Sequence, residues 1–137
     1  MSGRPAPEPT PASLPYWEGV REHRLVAPRC RDCGALFFYP RARCPHCFHD
    51  AFDWEELSGR GRVYSCTVVR QPAHPAFVDA VPYVFAVVEL DEGIRMPTNI
   101  VGCDPESVAP DAAVELDFLD DGADLTLPVF RLAGPPR

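Results

Sequence analysis

The chain has no lysine and carries few basic residues of any kind. All 13 of its basic residues are arginines, against 20 acidic residues, for a formal charge of −7 at pH 7. Nine of the arginines lie in residues 1–62 with eight acidic residues, whereas residues 63–137 hold four arginines and twelve acidic residues. A protein that grips the phosphate backbone needs the opposite balance. The composition therefore argues against a general nucleic-acid coat.

Long apolar runs are also missing. No stretch approaches the roughly 18 apolar residues of a membrane span, and the N-terminus has no apolar core of the kind a signal peptide needs. We therefore expect a soluble, cytoplasmic protein with no membrane partner. The 17 prolines among 137 residues exclude long uninterrupted helices. The length allows one compact domain or two very small modules.

A short helix is predicted from about Pro15 to Arg24, within a helical segment that we place at residues 14–28. Apolar side chains recur there at helical spacing, and a serine followed closely by a proline is typical of a helix start. Tyr16 and Trp17 are large side chains for a helix of two turns. They either pack against the rest of the chain or form the interface with a partner protein.

Four cysteines lie in a segment that we place at residues 29–50. They form two CxxC pairs separated by ten residues: Cys30, Cys33, Cys44 and Cys47. The two-residue spacer lets both thiolates of a pair face one ion while backbone amides hydrogen-bond the sulfurs. We predict a tetrahedral metal site, with zinc as the natural occupant and iron as the second choice of ion; the competing hypothesis is that the cysteines form disulfides or stay free thiols. Because four sulfurs leave no open position, the predicted role of the ion is structural.

The residues beside the two cysteine pairs differ. Gly34 follows the first pair, where a turn around a metal needs a residue that tolerates positive φ, but Phe48 stands in the equivalent place after the second. We therefore expect the second turn to be less regular. With four sulfurs present, His46 and His49 are predicted to be surface groups near the ion and not ligands.

Beyond residue 54 the pattern is that of a β domain, which we place at 55–132. Five strands are predicted, at 62–70, 83–90, 93–102, 112–119 and 125–132, separated by proline, glycine and aspartate clusters. Residues 91–93 and 120–124 favour hairpin turns. Strands of this number and length predict a small closed barrel or a sandwich. Residues 1–13, with four prolines among small residues, are predicted to be a disordered tail.

Two cysteines remain outside the CxxC pairs, Cys66 and Cys103, and His74 is the one histidine after residue 62. A cysteine and a histidine can form a nucleophile and base. However, Cys66 lies inside an apolar strand and Cys103 at a strand end, where thiols usually behave as small hydrophobic groups. We therefore predict no catalytic residue in this chain.

The aromatic residues of the β domain allow two interpretations. Tyr64, Phe77, Tyr83 and Phe85 could stack nucleic-acid bases, but such platforms work beside a positive groove. This half of the chain is strongly acidic. We therefore expect these aromatics in the core or at a protein interface.

Arginines are concentrated around the helix and the cysteine pairs. The planar guanidinium suits bidentate contacts with phosphate or carboxylate. These residues are either solvated surface groups or contacts to an anionic cofactor, such as coenzyme A, or to a partner's acidic residues. The candidates for coenzyme A phosphate contacts are Arg29, Arg31, Arg41 and Arg43.

Several stretches together resemble one family, the domain of unknown function family 35. They are PYWEGVREHRLVAPRCRDCG, FFYPRARCPHC, FDWEELSGRGRVYSCTVV, PYVFAVVELDEG and LPVF, in that order over roughly residues 14–131. The resemblance implies a mainly β protein with an N-terminal helix, a rubredoxin-like zinc ribbon and an OB-fold barrel. It also implies that the four paired cysteines are zinc ligands. Phe48, where the family usually has glycine, and Cys66, where an aromatic is frequent, depart from its pattern.

The resemblance also implies a role. Members of the family are non-catalytic partners of acyl-CoA enzymes, above all of the thiolase superfamily. The chain is thus expected to bind such an enzyme, first of all a lipid-transfer-like aldolase of steroid side-chain degradation. It would form a hetero-oligomer around the enzyme's dimer and help to build its acyl-CoA site. A zinc-ribbon and OB-fold nucleic-acid module and a free-standing acyl-CoA carrier are two further hypotheses.

Overall fold

A computed structural model describes residues 7–120 and 125–133 of the chain. In these residues one short helix precedes seven strands. The elements are α1 (Leu14–Arg21), β1 (Val26–Cys30), β2 (Phe52–Glu56), β3 (Arg60–Val69), β4 (Tyr83–Leu90), β5 (Arg95–Val101), β6 (Ala113–Asp120) and β7 (Thr126–Leu132). Over the same residues, no helix has both the length and the apolar character needed to cross a membrane.

The last five strands close into a barrel in the order β3, β4, β5, β7, β6. Strand β3 pairs with β6 to complete the ring, and every neighbouring pair is antiparallel except β5 with β7. This is the five-stranded barrel of the OB-fold. The predicted closed barrel is confirmed, and the sandwich interpretation is wrong.

Buried and more exposed residues alternate along β4, as expected for a strand in the wall of a barrel. Val84, Ala86, Val88 and Leu90 are buried, and the residues between them are exposed or half-buried. One face of the strand therefore fills the barrel and the other faces outward. Gly61 permits the close approach of β3 to β4, because a Cβ atom at this position would lie 2.4 Å from the carbonyl oxygen of Glu89.

The cysteine segment is framed by a hairpin that the sequence did not reveal. Strand β1 pairs antiparallel with β2, from Val26 opposite Glu56 to Cys30 opposite Phe52. Neither segment shows the usual pattern of a strand, since Pro28 interrupts the first and the second is rich in acidic residues. The ribbon therefore extends beyond the predicted limits of 29–50.

The helix ends earlier than predicted because the chain reverses at His23. This residue has a φ of 61°, and its amide donates to the carbonyl of Val20 at 2.9 Å. The amide of Arg24 donates to the carbonyl of Gly19 at 2.7 Å. These two bonds form a Schellman motif, which stops the helix at Arg21.

His23 also joins the helix to the barrel. Its ring stacks on Phe118 of β6 with a centroid distance of 4.8 Å and an interplanar angle of 12°. Its Nε2 atom lies 3.1 Å and 3.2 Å from the two carboxylate oxygens of Asp120. The end of α1 is therefore fixed to the end of β6.

The predicted tail and one predicted hairpin are only partly described. Residues 1–6 and 121–124 lie outside the described residues. Residues 7–10 are exposed and have no regular structure, but Ser13 is buried and its amide donates to the carbonyl of Thr10 at 3.0 Å. The exposed segment therefore ends before residue 13. The hairpin at 91–93 joins β4 to β5, with Gly93 at a φ of 95°.

The contact between α1 and the barrel gives a testable titration. Hydrogen bonds first from His23 and then from Thr126 lower the pKa of Asp120. In a His23→Gly variant, which keeps the positive φ, we expect this pKa to rise toward the ordinary aspartate value of about 3.9. Carboxyl ¹³C NMR measures it, with His74→Ala as a control that should leave it unchanged. An Asp120 pKa that is the same in His23→Gly and the native chain would contradict the assignment.

Candidate functional site

The four paired cysteines meet in one cluster. The Sγ atoms of Cys30 and Cys47 are 3.4 Å apart, and those of Cys33 and Cys44 are 3.6 Å apart. All four sulfurs lie within 4.8 Å of one another. Tetrahedral zinc with Zn–S bonds of about 2.3 Å requires sulfurs about 3.8 Å apart. The cluster therefore fits a four-sulfur ion site.

Each CxxC pair forms a tight turn around its first sulfur. In the first turn the Asp32 amide lies 3.4 Å from the Cys30 sulfur, and Gly34, at a φ of 77°, donates its amide to the Cys30 carbonyl at 3.0 Å. In the second the His46 amide lies 3.4 Å from the Cys44 sulfur. Both turns thus direct backbone amides at a sulfur, which favours the thiolate that a metal needs.

Phe48 completes the second turn in the place of a glycine. Its φ is 69°, and its amide donates to the Cys44 carbonyl at 2.9 Å, as Gly34 does to Cys30 in the first turn. The expectation of a less regular second turn is therefore wrong. Phe48 thus adopts a left-handed backbone conformation that is unfavourable for residues other than glycine. Its side chain is 72% exposed.

The electrostatics of the cluster favour charge on one buried sulfur from each turn. Burial of Cys44 favours its neutral thiol, but bonds from the amides of His46 and Cys47 outweigh this and lower its pKa to about 7. A bond from the Cys33 amide lowers the pKa of Cys30. The pKa values of Cys33 and Cys47 are raised, because burial and the neighbouring sulfurs outweigh the backbone bonds that they accept. The positive charge of a divalent ion would offset the unfavourable interaction between neighbouring thiolates, so that all four cysteines could be deprotonated together.

The two histidines of the segment lie outside the sulfur set. His49 is exposed, and its Nδ1 lies 3.2 Å from a carboxylate oxygen of Asp32. This contact bridges the two turns. His46 is also exposed. The ligand atoms of Asp32, Cys47 and His49 lie within 4.8 Å of one another, so the expectation that His46 and His49 are not ligands stays a prediction.

Tyr16 and Trp17 have different surroundings. Tyr16 is 3% exposed and packs edge-on against Phe38 and Tyr39 of the ribbon, with ring centroids 5.5 Å and 6.0 Å away. Of the two interpretations of Tyr16, its burial favours packing against the rest of the chain, because the ribbon covers the ring. Trp17 is half-buried, and its buried Nε1 has no hydrogen-bond partner among the described residues.

The four candidate arginines fall into two pairs. Arg29 makes two bonds to the Glu55 carboxylate, at 2.7 Å and 3.1 Å, and Arg31 bonds Asp53 at 2.9 Å. The charge of both arginines is therefore already balanced by a carboxylate of β2. Arg43 lies over the Phe48 ring, 5.1 Å from its centroid, and donates to the Phe48 carbonyl at 3.2 Å. Arg41 is exposed and has no ion pair within the described residues.

The residues considered for nucleophilic catalysis have separate environments. The Cys66 thiol donates to the carbonyl of Val108 at 3.9 Å. His74 accepts the backbone amide of Ala76 at 3.0 Å and packs edge-on against Phe77. Cys103 is half-buried and packs against the core. Among the described residues no hydrogen bond joins Cys66 or Cys103 to His74.

The aromatic candidates of the barrel also separate. Tyr64 is 52% exposed and Phe85 44% exposed, and the guanidinium of Arg95 lies 3.8 Å from the Tyr64 ring centroid. Phe77 and Tyr83 are half-buried with ring centroids 6.2 Å apart. None of the four is in the barrel core, so of the two expected places only a protein interface remains, as a prediction.

A four-sulfur ribbon on a five-stranded closed barrel defines a zinc-ribbon and OB-fold protein. Two family models match the chain in that order: "ChsH2, rubredoxin-like zinc ribbon domain" at residues 17–53 and "ChsH2, C-terminal OB-fold domain" at residues 54–119. The chain belongs to the ChsH2 (DUF35) family. The family that the sequence motifs resemble is thereby confirmed.

Curated relatives differ in length and name. The "Probable enoyl-CoA hydratase alpha subunit" of Thermomonospora curvata is 44% identical over 96% of this chain, but the chain spans only 41% of that protein. A "DUF35 domain-containing scaffold protein" of Methanothermobacter thermautotrophicus is 41% identical over 74% of this chain and 77% of its own length. The "Benzoylsuccinyl-CoA thiolase subunit BbsA" of Geobacter metallireducens is 33% identical over 72% of this chain and 63% of its own length.

A solved structure gives the same fold. A chain of the "Ltp2-ChsH2(DUF35) aldolase" superposes with a TM-score of 0.84 and 42% identity. The match covers 92% of this chain and 98% of that one. The likeness therefore extends across both the ribbon and the barrel.

The sulfur cluster predicts the metal content of the purified protein. We expect about one zinc ion per chain by mass spectrometry of the metal, because four thiolates match its preferred geometry. Cys44→Ser should leave fewer than half of the chains loaded. Cys66→Ser, outside the cluster, is the matched control and should keep the native content. Equal metal in the Cys44→Ser and Cys66→Ser proteins would contradict the site.

The backbone at Phe48 predicts a stabilising substitution. Phe48→Gly should raise the free energy of unfolding of the metal-loaded protein by up to about 1 kcal/mol, because glycine adopts positive φ without steric cost. Gly34→Ala, at the equivalent position of the first turn, should lower it by about 1 kcal/mol. Urea unfolding measures both. A destabilised Phe48→Gly protein would mean that the contact with Arg43 outweighs the backbone cost.

Proposed function

We propose that the chain is a non-catalytic subunit of an acyl-CoA enzyme of the thiolase superfamily. The first candidate for the partner is a lipid-transfer-like aldolase of steroid side-chain degradation. The observation that carries the proposal is the likeness to a chain of the Ltp2-ChsH2(DUF35) aldolase at 42% identity over 98% of that chain. The thiolase subunit BbsA and the scaffold protein among the relatives support the same kind of role.

The hydratase name of one relative is compatible with this role. This chain spans 41% of the Thermomonospora curvata hydratase subunit, so the activity named for the whole relative can reside in the remainder. The sulfur cluster of this chain is suited to a closed ion site, and an ion with four protein ligands has no position for substrate. Its role is to hold the ribbon in shape, and the catalytic groups lie on the partner.

The surface beside the helix supports a protein interface. Leu14 is 43% exposed on the helix, three residues before Trp17, and Tyr39 is 45% exposed on the ribbon. The rings of Trp17 and Tyr39 both pack against Tyr16, with centroid distances of 4.8 Å and 6.0 Å. Aromatic residues are enriched where proteins bind each other. We assign this helix–ribbon patch, defined by Leu14, Trp17 and Tyr39, to the contact with the enzyme. It replaces the patch of Tyr16 and Trp17 that the sequence suggested.

Coenzyme A phosphates would be bound at the second cysteine turn. Arg29 and Arg31 are paired with carboxylates, which removes much of their attraction for phosphate. Arg41 and Arg43 have no acidic partner within the described residues, and Arg43 is already oriented against Phe48. These two guanidinium groups are therefore the ones we assign to the acyl-CoA site of the complex.

The nucleic-acid hypothesis is weaker on electrostatic grounds. Residues 63–137 hold twelve acidic residues against four arginines, whereas single-stranded nucleic acid is bound in positive grooves. Four of the arginines on the barrel are paired with carboxylates: Arg60 with Asp91, Arg70 with Glu106, Arg95 with Glu89 and Arg131 with Asp117. The OB-fold alone does not decide between functions, because unrelated functions share it.

Co-expression tests the proposal. We expect the metal-loaded full chain to co-elute in gel filtration with a thiolase-superfamily aldolase of the Ltp2 kind, and to raise the soluble yield and the activity of that enzyme. The chain alone should not turn over an acyl-CoA thioester. A partner that is equally soluble and active without this chain would defeat the proposal.

Variants locate the interface. The double substitution Leu14→Asp and Tyr39→Asp should weaken the complex by about tenfold or more, since it places charge in a desolvated contact. Val78→Asp is the matched control, because Val78 is 56% exposed on the loop between β3 and β4. Titration calorimetry measures both. Equal weakening by the two changes, or none by the first, would exclude the helix–ribbon patch.

A further inference from the structure

A small pocket lies between the β3–β4 loop and four strands of the barrel. Its volume is about 190 Å³. The wall is built from Ala80 of the loop, Tyr83 of β4, Asn99 and Val101 of β5, Leu119 of β6 and Val129 of β7. The pocket is partly open to solvent, and most of its lining residues are apolar.

The β3–β4 loop that borders the pocket is ordered by its own contacts. The loop contains a single 3-10 turn at Pro75–Phe77, whose first amide is bound by the His74 side chain at 3.0 Å. The Phe77 ring lies 6.2 Å from that of Tyr83 on β4. Val129 is only 2% exposed, although it is not a member of the main core cluster. Val129 therefore adds an apolar side chain to the lining from outside that cluster.

The lining defines the chemistry of a ligand. Within the described residues no charged side chain lines the pocket. The amide nitrogen of Asn99 donates to the Val84 carbonyl at 2.9 Å, which fixes the orientation of that amide. The barrel that forms the pocket comes from the acidic half of the chain, and no arginine lines the pocket within the described residues, so an anionic group is disfavoured there. A neutral hydrocarbon group matches such a lining.

The position of the pocket is that of an OB-fold binding face. In this fold the second and third strands, with the loop between the first and second, form the surface that holds ligands. Here these are β4, β5 and the β3–β4 loop, all of which contribute to the wall. The mouths and faces of small barrels are common places for small-molecule sites.

We propose that this pocket binds a compact neutral hydrocarbon group of a small molecule, close in size to a benzene or cyclohexane ring. An apolar cavity of about 150 Å³ is known to hold benzene, and this pocket is somewhat larger at about 190 Å³. Removal of the ring from water and its contacts with the aliphatic lining provide the affinity. The site goes beyond the proposed role as an enzyme subunit and does not require a partner enzyme.

Methyl NMR of the metal-loaded full chain tests the site. Benzene and cyclohexane are the probes, and cyclohexanecarboxylate is the charged comparison. We expect saturable shifts at the methyl groups of Ile100, Val101, Leu119 and Val129 with both hydrocarbons. Binding of the carboxylate should be weaker by about tenfold or more, which corresponds to about 1.4 kcal/mol. Absence of saturable shifts at these methyl groups, or equal binding of the carboxylate, would overturn the proposal.

A matched pair of variants separates binding in the pocket from binding elsewhere. Ala80→Phe fills the pocket from the loop and should abolish the hydrocarbon shifts. Val78→Phe adds the same ring to the same loop at a position outside the lining and should preserve them. If Ala80→Phe does not fold, the smaller Ala80→Leu takes its place and should reduce affinity by about tenfold. Full affinity in a folded Ala80 variant would place the binding elsewhere, and complex formation with the enzyme is scored separately.

Discussion

The convergence of four sulfurs on one point is the constraint on which the ribbon depends. Only Cys30, Phe37 and Cys44 form the buried cluster of the ribbon, and a core of this size cannot stabilise a fold by itself. A structural zinc ion contributes on the order of 10–16 kcal/mol in small zinc domains. Within the ribbon, the ion therefore supplies the stabilisation that the hydrophobic core supplies in the barrel.

The effect of the ion extends from the ribbon to the surface. The chain between the two cysteine pairs carries Phe38 and Tyr39, which cover Tyr16 of the helix. The helix is in turn fixed to the barrel through His23 and Asp120. Tyr16 belongs to the same buried cluster as the barrel core, so the position of Tyr39 is coupled to that core through Tyr16. A structural metal can thus control binding without taking part in chemistry.

Features set by local sequence patterns could be predicted from the sequence, whereas features set by contacts between distant residues could not. The sulfur site and the barrel strands could be predicted, because CxxC spacing and alternation are local patterns. The burial of Tyr16 could not, since its cover comes from residues far along the chain. The pairing of Arg29 with Glu55 depends on the register of a hairpin whose strands lack a strand pattern. The positive φ of Phe48 follows from the cysteine turn and not from its own preference.

The distribution of charge explains how one fold serves a use other than nucleic-acid binding. An OB-fold that holds single strands needs basic residues along its β4–β5 face, but the pocket there is lined without charge in the described residues. Arg41 and Arg43, the guanidinium groups assigned to the coenzyme A phosphates, are instead on the ribbon. Contacts with an anion and with a hydrocarbon are therefore assigned to separate modules. This separation lets each surface be changed without loss of the other, because only the barrel core and the sulfur cluster must be kept.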